Sequence, residues 1–119
     1  MIKFVKYLLT QDIMKDLLKR LLNFRKARDW EQFHTPENLA KSLSIETGEL
    51  LECFQWSNKY DLEEVKSEVA DVYTYLLLFA HSLDIDLDKV ASDKLAISEK
   101  KYPVEKAKGN ATKYTKFKD

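Results

Sequence analysis

Four carboxylates stand in two pairs whose spacing suits the chemistry of a metal ion. Glu46 and Glu49 form the first pair, and Glu68 and Asp71 form the second, which begins nineteen residues after Glu49. Residues three positions apart lie on one face of a helix. A short link would fold two such helices antiparallel, so that the pairs could face each other. Four carboxylates brought together in this way need a cation.

A second interpretation of the same acids is structural: they could pair with Lys or Arg from another helix, or lie on a solvated face. Only Glu46 falls squarely within an apolar stripe, so periodicity leaves both interpretations open. If a metal binds, ligands that are all oxygen favour Mg²⁺ or Mn²⁺ over zinc. A carboxylate-bridged di-iron bundle requires a Glu-x-x-His motif, and because position 71 is Asp, this alternative is weak.

Mg²⁺ held by a few carboxylates keeps coordination positions open for water and substrate phosphates, which indicates phosphoryl chemistry. No GxxxxGK[ST] loop is present, so phosphate binding would not be of the P-loop type. The charge distribution fits an anionic ligand. Residues 46–71 hold eight acids and two lysines, whereas residues 101–119 hold six lysines and two acids. A solvated basic terminus is the alternative explanation of the second stretch.

Composition favours long helices. The chain has 119 residues, 45% of them hydrophobic, with only two Gly and two Pro, as expected of one all-α domain with few turns. Equal numbers of basic and acidic residues argue against nucleic acid or membrane as a partner. The single Cys53 fits a reducing, cytoplasmic setting. MIKFVKYLL is too short to span a membrane, and we expect it to join the fold or an oligomer contact.

Apolar periodicity and capping signals predict four helices. Thr35 and Pro36 suit the N-cap and first helical position of the second helix, and Asp61 suits the N-cap of the third, with Glu64 as its capping-box partner. The predicted spans are Thr10 or Gln11 to about Arg28, Thr35 to about Trp56, Asp61 to about residue 83, and about Leu87 to Lys101. Gly48 inside the second helix would suit a close approach by a neighbouring backbone or a ligand. Residues 102–119 are expected to form an extended basic tail.

Aromatic side chains near the acids could stack on a nucleobase, although ordinary core packing is the alternative for each of them. Trp30 and His34 precede the second helix, Trp56 follows Glu49 by seven residues, and Tyr75 stands four residues after Asp71. His34 could bind substrate or anchor its loop. Cys53 has no evident base beside it, so a small packing residue is favoured over a nucleophile.

The sequence resembles the MazG-like all-α nucleoside triphosphate pyrophosphohydrolases, in their dCTP pyrophosphatase branch. The family's Glu-x-x-Glu and Glu-x-x-Asp motifs match residues 46–49 and 68–71. Branch-specific blocks match as well: RDWEQFHTPENL at 28–39, GELLECFQW at 48–56 and KYPVEKAKGNATKYT at 101–115. The resemblance runs in order over nearly the whole chain. It implies a four-helix bundle in a single domain, residues 1–119, that assembles as a homotetramer.

The resemblance also implies an activity: Mg²⁺-dependent cleavage of a dNTP, dCTP or a related or modified pyrimidine, to dNMP and pyrophosphate, cleansing the nucleotide pool. Mn²⁺ could substitute. The implied metal ligands are Glu46, Glu49, Glu68 and Asp71. One of them, Glu49 or Glu68, would orient the attacking water in place of binding the metal. The implied substrate-binding residues are Trp30, His34, Trp56 and Tyr75 for the base, and Lys94, Lys101 and Lys113 for the triphosphate.

The base preference and the hydrolytic activity itself each have an alternative. Mammalian members of the branch carry a His on the first helix where this chain has Leu21, which leaves the base preference undecided. A helical module that binds nucleotides or oligomerises without hydrolysis is the rival function.

Overall fold

The computed structural model describes residues 2–56 and 58–119, and within them it confirms the all-α class. The helices are α1 (Ile2–Ala27), α2 (Pro36–Glu52), α3 (Leu62–Ser82), α4 (Leu87–Lys101) and the short α5 (Val104–Ala107). Two 3₁₀ turns, Glu31–Phe33 and Tyr114–Lys116, complete the regular structure. The chain divides into two compact units, Met1–Asp84 and Ile85–Asp119. In these described residues, no helix combines the length and the apolar character needed to cross a membrane.

Helix α1 starts earlier than the sequence indicates, so the predicted start near Thr10 or Gln11 is wrong. Its first turn holds no acidic residue, which removes the usual signal of a helix start. Its end agrees with prediction to within one residue. Arg25 and Lys26 in the last turn complement the negative end of the helix dipole. Asp29 then takes a left-handed conformation with φ of 54°, and the chain leaves the helix.

Helix α2 begins as predicted and ends four residues early. Thr35 caps it, because its side chain accepts a hydrogen bond from the Asn38 N–H at 3.2 Å. Beyond Glu52 the backbone N–H groups of residues 53–55 donate to carbonyls three positions back, which tightens the chain into a turn. Phe54 then packs on Tyr60 with ring centroids 5.1 Å apart, so the apolar pattern continues past the end of the helix.

Helix α3 has the predicted N-cap, Asp61, and α4 has an N-cap, Asp86, that we did not predict. Asp61 accepts from the Glu63 N–H at 2.9 Å, and Asp86 accepts from the Lys89 N–H at 3.1 Å. Glu64 lines an acidic cavity, and its role as the capping-box partner of Asp61 stays a prediction. Helix α4 has the predicted bounds.

Residues 102–119 are not simply an extended tail, and that part of the prediction is wrong. They contain α5 and the second 3₁₀ turn, and the Tyr102 ring contacts Tyr114 and Phe117 edge-on at 5.8 and 5.7 Å. These aromatic contacts tie the end of the chain back to the end of α4.

Helices α2 and α3 are packed on each other, and α1 also contacts α3. In the described part of the chain, the buried apolar side chains are Leu39 near the start of α2 and Leu77, Leu78 and Ala80 near the end of α3. Because α2 and α3 run antiparallel, as the pairing of their acids shows below, these positions lie at the same end of the pair. Apolar burial therefore holds one end of the two helices while the acids occupy their middle.

Replacing Leu39 with Ala tests this core. Leu39 is 1% exposed, so we expect Leu39→Ala to lower the free energy of unfolding by about 2–5 kcal/mol. Urea unfolding followed by circular dichroism measures the change. Lys41→Ala, at an exposed position of the same helix, is the control and should change it little. Equal losses in the two variants would contradict the assignment of the core.

Candidate metal and nucleotide site

The two predicted acid pairs meet between α2 and α3. Ligand atoms of Glu46, Glu68 and Asp71 all lie within 4.8 Å of one another. Farther along, Glu52 of α2 and Glu64 of α3 line one cavity. The later residue of α2 thus lies near the earlier residue of α3, which is the pattern of antiparallel helices. The i, i+3 spacing within each pair directs the acids into this shared space.

Glu49 completes the cluster. Its side chain is exposed, and its carboxyl lies close enough to Glu46 and Glu68 to perturb both, through a side-chain hydrogen bond and through charge. All four carboxylates predicted as metal ligands are therefore neighbours in the structure. Their assignment as ligands stays a prediction.

Crowding perturbs the acids. Burial raises the pKa of Glu46 to about 7, helped by Glu49, Asp71 and Glu68. Burial also raises the pKa of Glu68, with the charge of Glu49 as the next cause. The cluster accordingly resists holding all its negative charges at once without a counter-charge.

The chemistry of these donors fits a hard divalent cation. Glu46 Oε2 and Glu68 Oε2 are both buried and have no hydrogen-bond partner. A buried carboxylate oxygen without a partner is costly, and a cation shared among several carboxylates would satisfy it. Oxygen-only donors are those that Mg²⁺ and Mn²⁺ prefer. The residues that could hold the metal are Glu46, Glu49, Glu68 and Asp71.

A cavity of about 370 Å³ continues the acidic surface toward the link between the helices. Its described lining residues are Glu49, Glu52, Cys53, Glu64, Ser67 and Glu68. Sequence reasoning did not assign Glu52 and Glu64 to the site. A signal was available, because Glu52 follows Glu49 at the same three-residue spacing and Glu64 precedes Glu68 by four residues, also on one helix face.

Cys53 behaves as a packing residue. Its Sγ is 3.7 Å from the Glu49 carbonyl oxygen, to which the thiol donates. Burial raises the pKa of Cys53, and the charges of Glu68 and Glu64 raise it further. The reactive thiolate is therefore disfavoured. No neighbouring backbone approaches Gly48 among the described residues, since a Cβ there would meet no heavy atom within 4 Å. A close approach by a ligand at Gly48 stays a prediction.

A second cavity, of about 620 Å³, lies between α1 and α3 beside the acid cluster. It is lined by Leu17, Arg20, Leu21, Asn23, Phe24, Asp71 and Thr74. Asp71 belongs both to this cavity and to the acid cluster, so the two places adjoin. The three- and four-residue spacing of Leu17, Leu21 and Phe24 predicts that they share one apolar face of the first helix. The sequence did not predict that this face lines a cavity with Asp71, because the way α1 packs against α3 is not specified by periodicity.

The residues predicted to bind the base, Trp30, His34, Trp56 and Tyr75, are not among the described lining residues of either cavity. Trp30 packs edge-on against Phe24 with ring centroids 5.6 Å apart, and Tyr75 is half-buried one turn beyond Asp71. Trp56 is 88% exposed in the turn after α2. His34 is half-buried, its Nδ1 has no partner, and burial next to Arg25 lowers its pKa.

The three predicted phosphate-binding lysines belong to the second compact unit. Lys94 and Lys101 lie on α4, and Lys113 precedes the second 3₁₀ turn. The Lys101 ammonium is 4.8 Å from the centroid of the Tyr114 ring, a cation–π contact. Their contact with a substrate stays a prediction.

Comparisons with known proteins connect this geometry to a family. The sequence model of the MazG-like family matches residues 41–117. The dCTP pyrophosphatase 1 of Rattus norvegicus is 36% identical over 114 residues, covering 86% of this chain and 66% of the rat protein. The protein of the same name from Homo sapiens is 33% identical over 114 residues, with 87% and 67% covered. The chain thus spans about two thirds of the length of these curated relatives.

A solved structure is also similar to this chain. The crystal structure of a pyrophosphatase from Archaeoglobus fulgidus is similar to this chain with a TM-score of 0.69 and 42% sequence identity. The similarity covers 76% of this chain and 92% of the archaeal chain.

The raised pKa of Glu46 predicts a pH-dependent stability when no metal is present. Between the ordinary value of 4.5 and about 7, the folded state keeps a proton that the unfolded chain releases. Stability from this group is therefore complete below pH 4.5 and lost as the pH rises through 7. We expect Glu46→Gln, which stays neutral, to raise Tm in EDTA more at pH 8 than at pH 5.

Thermal unfolding by circular dichroism measures this difference, with Glu37→Gln, an exposed acid of the same helix, as the control. Added Mg²⁺ should raise the Tm of the wild type at pH 8 more than that of Glu46→Gln. The same Tm gain at both pH values would show that Glu46 is not under electrostatic strain.

Proposed function

This chain belongs to the MazG-like family, and from that premise we propose that it is a Mg²⁺-dependent nucleoside triphosphate pyrophosphohydrolase. Its substrate is dCTP or a related or modified pyrimidine dNTP, and its role is to cleanse the nucleotide pool. The relatives named dCTP pyrophosphatase 1 and the archaeal pyrophosphatase support this activity. The observation that carries it is the cluster of Glu46, Glu68 and Asp71, with ligand atoms within 4.8 Å of one another.

The reaction consumes one water. Its oxygen bonds to the α-phosphorus, the bond from that phosphorus to the oxygen bridging to the β-phosphate breaks, and dNMP and pyrophosphate leave. When bound by Glu46, Glu49, Glu68 and Asp71, Mg²⁺ (or Mn²⁺) would offset phosphate charge and lower the pKa of water. The buried oxygens of Glu46 and Glu68 that lack partners support this assignment.

Glu49 and Glu68 are the proposed catalytic acids. A carboxylate that accepts a hydrogen bond from the attacking water aligns a lone pair of the water oxygen with the phosphorus. The carboxylate then receives the proton that the water loses. Glu49 is exposed, as Asp71 is, whereas Glu46 and Glu68 are half-buried, and this exposure leaves the Glu49 oxygens accessible to that water. Glu68 lies beside it, and burial together with the charge of Glu49 raises its pKa, which makes it a stronger proton acceptor than an ordinary carboxylate.

The remaining residues would hold the nucleotide. Trp30, His34, Trp56 and Tyr75 are proposed to contact the nucleoside, and Lys94, Lys101 and Lys113 the triphosphate. Trp56 is largely exposed, as a side chain that stacks on a ligand or a second subunit would be in an isolated chain.

We also propose a cytoplasmic homotetramer. Large apolar side chains are exposed on α1, among them Ile2 at 76%, Phe4 at 64% and Ile13 at 68%. A helix that buries so little of its apolar surface within one chain gains stability by packing on another. Light scattering coupled to size-exclusion chromatography should give four times the mass of one chain, and a monomer would contradict the assembly.

Product analysis tests the activity. Purified protein with Mg²⁺ and each dNTP should release dNMP and pyrophosphate, fastest with a cytosine nucleotide or a 5-substituted analogue. Release of inorganic phosphate alone would exclude the reaction. A nucleotide-dependent rise in Tm with no product would favour the rival function, a helical module that binds nucleotides without hydrolysis.

Glu49→Gln tests the role of the cluster. The change removes a charge and a proton acceptor at an exposed position, so we expect turnover to fall at least about 100-fold while the helical circular dichroism stays unchanged. Glu37→Gln is the matched control and should keep wild-type turnover. Loss of the helical signal in Glu49→Gln would make that acid structural, and unchanged turnover would remove it from the mechanism.

A further inference from the structure

The cavity between α1 and α3 carries side chains that can distinguish one base from another. We propose that Arg20 and Thr74 are specificity-determining residues that select cytosine over uracil and thymine at the nucleotide site. This inference rests on the proposed function and assigns a pyrimidine preference to particular atoms.

The position of the cavity is the first step. Its volume of about 620 Å³ is within the range of small-molecule sites. Asp71 lines it and also belongs to the carboxylate cluster. A nucleotide whose phosphates lie at the acids therefore has this cavity beside it for its base.

The apolar wall is the second step. Leu17, Leu21 and Phe24 offer flat and aliphatic surface for the faces of a ring. Phe24 has two contacts that restrict its ring: Trp30 packs edge-on against it, and the Arg28 guanidinium lies 3.7 Å from its centroid. A wall fixed in this way loses little conformational freedom when a ligand binds.

The polar groups are the third step. A guanidinium has only donors, arranged as a fork, so Arg20 can bind a pair of adjacent acceptors. Thr74 has its hydroxyl hydrogen committed, since it donates to the Asp71 carbonyl oxygen at 3.1 Å. Toward a ligand in the cavity, the Thr74 oxygen can therefore act only as an acceptor.

Base chemistry gives the selection. On its pairing edge, cytosine presents two adjacent acceptors, O2 and N3, followed by the N4 amino donor. Uracil and thymine present a donor at N3 and an acceptor at O4. A donor fork and an acceptor that line the same cavity therefore match cytosine, and they leave two unpaired polar groups against uracil or thymine.

Two near-isosteric variants test the proposal. Arg20→Met removes the donor fork and Thr74→Val removes the acceptor. We expect each to lower the ratio of kcat/KM for dCTP over dUTP by about tenfold, mainly by lowering the value for dCTP. Thr74→Ser should retain the preference. Lys19→Met, at an exposed α1 position outside the cavity lining, is the control and should leave the ratio unchanged.

Binding of dCMP and dUMP, measured by calorimetry in EDTA, gives a readout that does not need turnover. The wild type should bind dCMP more tightly, and the preference should disappear in Arg20→Met and Thr74→Val that keep the wild-type circular dichroism. Equal wild-type affinities, or a preference that persists in both variants, would overturn the proposal. Failure of the wild type to hydrolyse any dNTP would overturn the proposed function instead, and the dCMP preference would still decide the role of the cavity.

Discussion

Mutual repulsion among the carboxylates between α2 and α3 is the constraint on which the site depends. Four acids from two antiparallel helices share one space, and burial together with their neighbours raises the pKa of Glu46 to about 7. A fold would gain stability by placing apolar side chains there. The buried Leu39, Leu77, Leu78 and Ala80 lie at one end of the helix pair, which supports it without neutralising the acids.

This arrangement makes the folded chain a preorganised site for a cation. Because α2 and α3 hold the carboxylates close together before any ion arrives, little ordering is needed when one binds. The Oε2 atoms of Glu46 and Glu68 lack hydrogen-bond partners for the same reason, because the two helices hold these carboxylates against each other. Asp71 then links the proposed metal site to the cavity between α1 and α3, so one side chain joins the two halves of the proposed nucleotide site.

The sequence predicted the elements that depend on local signals. N-caps at Thr35 and Asp61 located the starts of two helices, and i, i+3 spacing predicted that the acids would meet. It failed where contacts distant in sequence decide. The end of α2 depends on a turn and on Phe54 meeting Tyr60, and the structure of residues 102–119 depends on Tyr102 meeting Tyr114 and Phe117. The cavity beside Asp71 depends on how α1 packs against α3, which no local pattern encodes.

Manganese binding followed by electron paramagnetic resonance measures the central claim most directly. At pH 8, above the pKa of about 7 for Glu46, we expect the wild type to bind Mn²⁺ saturably, with displacement by Mg²⁺. Asp71→Asn, which removes one charge and keeps the side-chain shape, should lose most of that binding. A wild type that binds no Mn²⁺, or an Asp71→Asn variant that binds it equally well, would contradict a metal site between α2 and α3.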